Sequence, residues 1–272
     1  MRRLFIFGLG YSGTCIAEAF AARGWDVVST GRDGTLSFDD IGNVRAALAD
    51  ADHVLSSVPP GGEGLDPVIE RYSDALGGKW LGYLSSTGVY GDTGGAWVDE
   101  SAPVGGGRRA ARAEADGAWL ARQARVFRLP GIYGPGRSAL DRVGAGKAHR
   151  IDLPGQVFSR IHVADIAAGV LAAIDAPAGA YNLADDLPCH QNAVIEEACR
   201  LLERAPPPLQ SLDEARLSAP ARAFYAENRR VANGKAKRIL RWTPRFATYR
   251  EGLVDCLHGD RGAPTSCAKE RP

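Results

Sequence analysis

Residues 3–13 read RLFIFGLGYSG, an apolar run typical of a strand that leads directly into three glycines and then into a helical pattern. A dinucleotide-binding strand-turn-helix unit requires this order. Gly8 permits the tight turn, Gly10 lets a pyrophosphate approach the backbone, and Gly13 lets the helix pack on the strand. We therefore expect a nucleotide cofactor at the helix N-terminus, in contact with Gly8, Gly10, Tyr11, Ser12 and Gly13.

The composition shows no strong charge bias. The 272 residues are 45% hydrophobic and 24% charged, with a formal net charge of +1, so we expect an α/β protein without a broad surface for nucleic acid. Five widely spaced cysteines include no C-x-x-C pair, which argues against disulfides and against a metal site and favours the cytoplasm. Because no window of about eighteen residues is apolar and uncharged, no membrane span is expected.

Short apolar runs of β type alternate with helical patterns along most of the chain. The strands are predicted at 3–7, 25–30, 52–57, 80–85, 125–129 and 180–183. The helices are predicted at 12–23, 41–49, 65–76, 108–123, 163–175 and 191–204. Since strands joined by crossover helices lie parallel, the predicted fold class is α/β, a Rossmann-type doubly wound parallel sheet. The polar segment 259–272 is predicted to be a disordered tail.

The end of the second predicted strand bears on the choice of cofactor. An acidic residue there binds the ribose 2′-hydroxyl of NAD, whereas an arginine just beyond it accommodates the 2′-phosphate of NADP. Gly31 stands where the acid would be and Arg32 follows it, so the sequence favours NADP, with NAD as the alternative because Asp33 is adjacent. After the third strand, Val58 and Pro59 open a loop predicted to lie beside the cofactor.

Residues 80–91, WLGYLSSTGVYG, end a predicted buried strand in consecutive hydroxyls. Ligands bind at the carboxyl edge of a parallel sheet, although serine and threonine also cap ordinary turns. The segment resembles the extended short-chain dehydrogenases/reductases, often labelled the NAD-dependent epimerase/dehydratase family, whose strand ends in Ser-Ser-x-x-Val-Tyr-Gly. The resemblance implies a catalytic role for Ser86, with Thr87 and Tyr90 as further candidates and Ser85 beside the cofactor.

Further motifs extend the resemblance over about residues 3–255. Residues 128–136, RLPGIYGPG, are similar to the family's loop between the cofactor and the substrate lobe, and residues 162–167, HVADIA, to a helix start. The resemblance implies one NAD(P)-binding domain over 1–258. It also implies a smaller substrate lobe interleaved with that domain, mainly from 138–160 and 187–258.

The family's catalytic tyrosine and lysine are missing from this chain. The resemblance places them at Gly106 and Ala110, and residues 104–114 contain neither a tyrosine nor a lysine. That chemistry needs both groups, since an unassisted phenol is a poor base at neutral pH. The segment holds three arginines instead, which are either a solvated helix face or a site for an anion: Arg108, Arg109 and Arg112.

Three functions are compatible with these observations. The first is an NAD(P)-dependent oxidoreductase, or a nucleoside-sugar-type epimerase/dehydratase, acting on a small-molecule substrate through substitute groups. Ser86 or Thr87 would donate hydrogen bonds, and Tyr90, Tyr133 or His162 would carry protons, although Tyr90 also fits a packed aromatic and His162 a helix-start anchor. The second is a catalytically inactive NADP-binding sensor, and the third a scaffold without nucleotide. A homodimer is compatible with each.

Overall fold

A six-stranded parallel sheet organises the chain, in a computed structural model that describes residues 2–61, 66–105 and 110–259. The strands of these residues are β1 (Arg3–Phe7), β2 (Asp26–Ser29), β3 (His53–Ser56), β4 (Trp80–Ser86), β5 (Trp97–Val98), β6 (Arg125–Leu129), β7 (Gly131–Tyr133), β8 (Arg150–Ile151), β9 (Arg160–His162), β10 (Gly179–Asn182), β11 (Leu209–Gln210) and β12 (Arg230–Val231). The helices are α1 (Tyr11–Ala21), α2 (Ile41–Ala49), α3 (Pro67–Tyr72), α4 (Ala110–Ala121), α5 (Ala139–Gly144), α6 (Val163–Ala172), α7 (Gln191–Leu201), α8 (Ala219–Phe224), α9 (Gly234–Ile239) and α10 (Tyr249–Gly259). The sheet runs in the order β10-β6-β4-β3-β1-β2, which confirms the predicted α/β fold class.

The sheet separates two apolar cores. Side chains alternate along a strand, so β1 sends Leu4 and Ile6 into one core and Phe5 and Phe7 into the other. Helices α1 and α6 pack on each other and close the first core. Helices α2, α3 and α4 close the second. Burial of these side chains, at about 25 cal/mol per Å² of apolar surface, holds the layers together.

The strand order reverses beside β1. This strand pairs with β2 on one side and with β3 on the other, both in parallel register. In doubly wound sheets, ligands bind in the crevice that such a reversal opens outside the carboxyl ends of the strands. The glycine turn follows β1 and Ser57 follows β3, so both lie at this crevice.

Later segments of the chain build a smaller core beside the sheet. Helices α5, α7 and α10 pack together there through buried residues that include Leu140, Ile195 and Leu253. Strand β8 pairs with β11, and β5 pairs with β12. The lobe boundaries at 138–160 and 187–258 stay a prediction. The predicted tail over 259–272 lies outside the described residues except for Gly259, which ends α10.

Three further findings concern membranes, metals and thiols. None of the helices in the described ranges has both the length and the apolar composition needed to cross a bilayer. In the same ranges, no three histidine, cysteine, aspartate or glutamate side chains come together as a metal site would require. The described cysteines form no disulfide bonds with one another: Cys15, Cys189, Cys199 and Cys256.

Candidate functional site

The three glycines of the turn after β1 have different surroundings. Gly8 has a φ of +84°, and a Cβ on it would lie 3.0 Å from the Ser57 Oγ. A Cβ on Gly13 would lie 2.7 Å from the Gly8 carbonyl oxygen, so a side chain there would push α1 away from the turn. A Cβ on Gly10 would meet no atom within 4 Å, because Gly10 lines an open cavity. The turn is thus closely packed on its inner side and open only toward that cavity.

The N-terminus of α1 faces the same cavity. Gly10 is the N-cap residue and supplies no side-chain cap, and the next residues, Tyr11, Ser12 and Gly13, also line the cavity. The first N–H groups of a helix have no partner within the helix and carry a partial positive charge. This end of α1 can therefore bind an anionic group such as a pyrophosphate.

The cavity has a volume of about 460 Å³ and extends from the glycine turn to residues within 157–159 and 224–231. These residues belong to the predicted substrate lobe, called the small lobe below. This volume is in the range of small-molecule sites. Strand ends, the loop after β6 and the small lobe all contribute to its wall. Representative lining residues are Ser57, Ser86, Thr87, Pro130, Ile132, Phe158 and Phe224.

Three hydroxyl residues, Ser85, Ser86 and Thr87, lie at the end of β4 and at the start of the turn that follows it. The buried Ser85 hydroxyl donates to the Asp116 carboxylate at 2.7 Å, so it fixes the strand end, although Ser85 also lines the cavity. The Ser86 Oγ accepts the Gly88 N–H at 3.1 Å and caps the 3₁₀ turn that follows β4. Ser86 and Thr87 line the cavity, where their hydroxyls can contact a bound molecule.

Tyr90 belongs to a buried network and is absent from the described lining of the cavity. Its hydroxyl donates to the Asn182 Oδ1 at 2.7 Å and accepts a hydrogen bond from the Arg128 Nη1 at 3.0 Å. Arg128 also binds Asp116, through Nε at 3.0 Å and Nη2 at 2.8 Å. Burial raises the pKa of Tyr90. The geometry gives Tyr90 a structural role, and its role in proton transfer stays a prediction.

Tyr133 and His162 pack against each other, with ring centroids 5.2 Å apart, and neither is among the described lining residues. The His162 Nδ1 accepts the Ala164 N–H at 3.3 Å and caps α6. Burial lowers the pKa of His162 to about 4 and raises the pKa of Tyr133. His162 is therefore a helix-start anchor, and neither residue reaches the cavity to carry a proton.

The turn after β2 presents the residues expected to select the cofactor. Gly31 has a φ of +132°, and a Cβ on it would lie 2.7 Å from the Leu9 backbone nitrogen, so only glycine lets this turn approach the glycine turn. The Gly34 N–H donates to the Gly31 carbonyl at 3.1 Å, which places Arg32 and Asp33 at the two corners of a β-turn. Both corner side chains are exposed.

The loop after β3 reaches the cavity through a residue that we did not single out in the sequence. The Ser57 hydroxyl donates to the Gly8 carbonyl, and Ser57 lines the cavity. Val58 lies beside the glycine turn, 3.1 Å from where a Cβ on Gly8 would be, and Pro59 is exposed. Ser57 could have been noticed because it is a hydroxyl residue directly after an apolar strand.

Charged residues on the cavity wall come from three distant segments. The described lining carries three guanidinium groups, on Arg112, Arg137 and Arg229, and one carboxylate, on Glu227. The Arg229 Nη1 donates to the Glu227 Oε2 at 2.8 Å. The guanidinium of Arg137 lies 5.5 Å from the centre of the Tyr11 ring. No local motif pointed to Arg137 or Glu227.

Arg112 lies on α4, one of the three arginines that stand near the missing catalytic pair. Its Nη1 donates to the Tyr83 hydroxyl at 3.0 Å and to the Leu84 carbonyl at 3.3 Å. Ala110, at the position that the resemblance assigns to the lysine, begins α4. Gly106, at the tyrosine position, and Arg108 and Arg109 lie outside the described residues.

Comparison with known proteins identifies two close matches. The chain is 30% identical to protein YeeZ of Escherichia coli strain K12, over 79% of this chain and 90% of that protein. It is 37% identical to a functionally unknown conserved protein from Silicibacter pomeroyi DSS. The two structures superpose with a TM-score of 0.84 over 95% of this chain and 99% of that protein's chain. Models of known protein families give no match.

More distant structures share the fold at low sequence identity. A dTDP-glucose 4,6-dehydratase from Bacillus anthracis in complex with NAD superposes with a TM-score of 0.75 at 14% identity, covering 98% of this chain and 99% of that one. A nucleoside-diphosphate-sugar epimerase from Pseudomonas aeruginosa superposes with a TM-score of 0.76 at 16% identity, covering 96% and 97%. The Rossmann-like fold is thus that of NAD-dependent epimerases and dehydratases, and the chain belongs to the family that includes Escherichia coli protein YeeZ.

Proposed function

We propose that the chain binds a nicotinamide dinucleotide at the glycine turn and transfers a hydride to or from a small molecule in the adjoining cavity. One observation carries the proposal. A single cavity joins the N-terminus of α1, which suits a pyrophosphate, to Ser86 and Thr87 at the end of β4, which suit a reacting oxygen.

The residues of the turn fit such a cofactor. Gly10 lines the cavity, and a side chain at this position would extend into the space that we assign to the cofactor. Solved structures that share the fold include epimerases and dehydratases in complex with NAD. For this chain we propose NADP, because the exposed Arg32 occupies a turn corner directly after β2 and no carboxylate stands at Gly31.

Each part of the site has its own role in the proposed reaction. The backbone of Gly10, Ser12 and Gly13 would hold the pyrophosphate, and Arg32 would pair with the 2′-phosphate. When bound, the dinucleotide supplies or accepts the hydride. The hydroxyls of Ser86 and Thr87 would donate hydrogen bonds to the oxygen of the reacting carbon, and the proton that this oxygen gains or loses would exchange with water in the open cavity. Because the tyrosine and lysine are missing, we expect turnover about 10²–10⁴-fold below that of enzymes with full general acid/base catalysis.

A second function, that of a sensor without turnover, is favoured by a different observation. Among the described residues, no lysine, histidine or cysteine lines the cavity. Tyr90, Tyr133 and His162, the proton carriers expected from the sequence, are held in buried contacts elsewhere. A protein that kept its cofactor site and lost turnover would have these features.

NADPH oxidation with a panel of carbonyl compounds and sugar nucleotides separates the two functions. An enzyme should show turnover, and Ser86→Ala should lower kcat while leaving NADPH affinity unchanged. The matched control is Ser211→Ala, at an exposed serine in the small lobe. NADPH binding without turnover on the whole panel would support the sensor. Turnover that survives both Ser86→Ala and Gly10→Val would refute the site.

A further inference from the structure

We propose that the ligand of this cavity carries a carboxylate or a phosphate monoester, which binds Arg112, and an apolar body, which packs on Phe224. The inference rests on the proposed function, because it names the substrate class of the same cavity. It separates this chain from enzymes that act on nucleoside-diphosphate sugars.

Arg112 provides the first argument, because its charge lacks a counter-ion among the described residues. The side chain is half-buried, and its two acceptors, the Tyr83 hydroxyl and the Leu84 carbonyl, are both neutral. A cation that is partly removed from water without an opposite charge is costly, so this placement favours an anionic ligand. Leu84 directly precedes Ser85 and Ser86, so the anion would lie beside the hydroxyls at the end of β4.

The charge balance of the wall provides the second argument. Glu227 forms an ion pair with Arg229, with 2.8 Å between Oε2 and Nη1. The other two guanidinium groups of the described lining, on Arg112 and Arg137, form no ion pair with a described carboxylate. Arg137 is exposed and its guanidinium lies over the Tyr11 ring at the glycine turn, so we assign it to the proposed cofactor rather than to the substrate. Among the described lining residues, Arg112 is therefore the cation that we assign to the substrate.

The apolar wall provides the third argument. Phe224 stacks on Phe158, with ring centroids 4.2 Å apart and an interplanar angle of 8°. Phe224 lines the cavity and is still 41% exposed, so a ring surface remains open to a ligand. Val157 and Val231 extend this surface. An apolar group packed against it would lose water contact favourably.

The cavity offers limited room beside the proposed cofactor. Its volume of about 460 Å³ includes the glycine turn as well as the end of β4, and the cavity is open rather than enclosed. We expect the nicotinamide half of the dinucleotide to occupy part of this space, which favours a compact acid over a nucleoside-diphosphate sugar.

Isothermal titration with matched ligands tests the proposal directly. The probes are phenylacetate, phenyl phosphate, the neutral phenylacetamide and UDP-glucose, each titrated with and without saturating NADPH. We expect phenylacetate or phenyl phosphate to bind at least about tenfold more tightly than phenylacetamide, since a charge-assisted hydrogen bond contributes that much. Whichever of the two anions binds more tightly identifies the anionic group. Equal affinity for the acid and the amide would overturn the inference, as would tighter binding of UDP-glucose than of both anions.

Variants locate the two contacts. Arg112→Gln should weaken the preferred anion at least about tenfold, and Arg112→Lys should restore part of that loss. Phe224→Ala should weaken phenylacetate and leave acetate unchanged. The matched control is Arg200→Gln, at an exposed arginine on α7, which should have no effect. If Arg112→Gln does not fold, the comparison of acid and amide on the wild-type protein decides the question.

The two proposals can fail separately. If NADPH binds and none of the anions binds at millimolar concentration, the inference about the substrate is wrong and the cofactor site stands. If an anion binds with the expected dependence on Arg112 and neither NADPH nor NADH binds, the proposed function is wrong and the anion site stands.

Discussion

Two glycines of the candidate site differ in what surrounds them. At Gly31 glycine is required by the chain, because φ is +132° and a Cβ would contact the Leu9 backbone nitrogen. At Gly10 the chain itself would tolerate a side chain, since φ is −99° and nothing lies within 4 Å of a Cβ. A side chain at Gly10 would extend into the cavity, so its effect on ligand binding can be tested without strain in the turn.

Cofactor choice is predicted to depend on Arg32. We expect Arg32→Ala to weaken NADP binding by about 1–3 kcal/mol, because a charge-assisted hydrogen bond to the 2′-phosphate would be lost. NAD binding should change little, since NAD has no phosphate there. Isothermal titration with both cofactors checks this, with Arg200→Ala as the control. An equal loss for both cofactors, or equal wild-type affinities, would show that Arg32 does not select the cofactor.

Asp185 is predicted to make stability depend on pH. It is buried in the described structure, its Oδ2 has no hydrogen-bond partner there, and burial raises its pKa from about 3.8 to about 7. The folded state therefore holds a proton that the unfolded state releases above pH 3.8. Stability from this group is present in acid and is lost as the pH rises through about 7.

Asp185→Asn should remove this loss. We expect the free energy of unfolding of the variant to exceed that of the wild type by more than about 1 kcal/mol at pH 8, and the advantage to shrink toward pH 4. His162 has the opposite effect, and it has it in both proteins. Because burial lowers the pKa of His162 to about 4, its contribution to the free energy of unfolding grows as the pH rises from about 4 to 6.5. Urea unfolding of both proteins at each pH gives the difference in their free energies of unfolding, in which the effect of His162 cancels. A difference that does not change with pH would contradict the raised pKa of Asp185.

At the scale of elements, the buried ion pair of Asp116 and Arg128 connects α4 to the neighbouring strands β4 and β6. Asp116 on α4 accepts hydrogen bonds from Ser85 at the end of β4 and from Arg128 on β6. Both charged side chains are at most 3% exposed. Such a pair adds little net stability, but the removal of one partner leaves a buried charge unpaired. The pair thus fixes the strand end that carries Ser86.

Asp116→Ala is predicted to destabilise the protein by about 3–5 kcal/mol, because Arg128 would stay buried without its counter-ion. The matched control is Asp74→Ala, which breaks the exposed pair with Arg45 and should cost less than about 1 kcal/mol. Urea unfolding monitored by tryptophan fluorescence measures both. Similar values for the two variants would show that the buried pair does not hold these elements together.

Most of the main elements could be predicted from the sequence because each carries its own pattern, although the eleven-residue helix α10 was missed. Strand β1 and helix α2 begin and end where the apolar spacing places them, at Arg3–Phe7 and Ile41–Ala49. The short strands were missed, since β8 and β11 have two residues each and exist only through their mutual pairing. Helices α5 and α9 have six residues each, too few for a clear period.

The site could be predicted only where it is local. The glycine turn and the hydroxyls of β4 are continuous segments, so the sequence revealed them. Phe224, Glu227 and Arg137 come from distant segments, and only the fold brings them to one wall. Tyr90 has the right motif, but its hydroxyl is bound by Arg128 and Asn182, which the motif does not contain.

At the scale of the whole molecule, the reversed strand order explains where the candidate site lies. It opens a crevice beside β1 where the glycine turn, Ser57 and the end of β4 meet. The small lobe closes the crevice with Phe158, Phe224 and the pair of Glu227 and Arg229. In the proposed function, the glycine turn would supply the cofactor contacts, and these later segments would form part of the substrate wall.

The central claim is that the glycine turn binds a nicotinamide dinucleotide, and titration with NADPH, followed by its fluorescence, tests it most directly. The wild type should bind. Gly77→Val should bind equally well, because Gly77, like Gly10, has no atom within 4 Å of a Cβ and lies on the surface away from the cavity. Gly10→Val should lose at least about tenfold in affinity with an unchanged unfolding midpoint, because its side chain would occupy the pyrophosphate space. Equal NADPH affinity in all three proteins, or no binding of NADPH or NADH by the wild type, would contradict the claim.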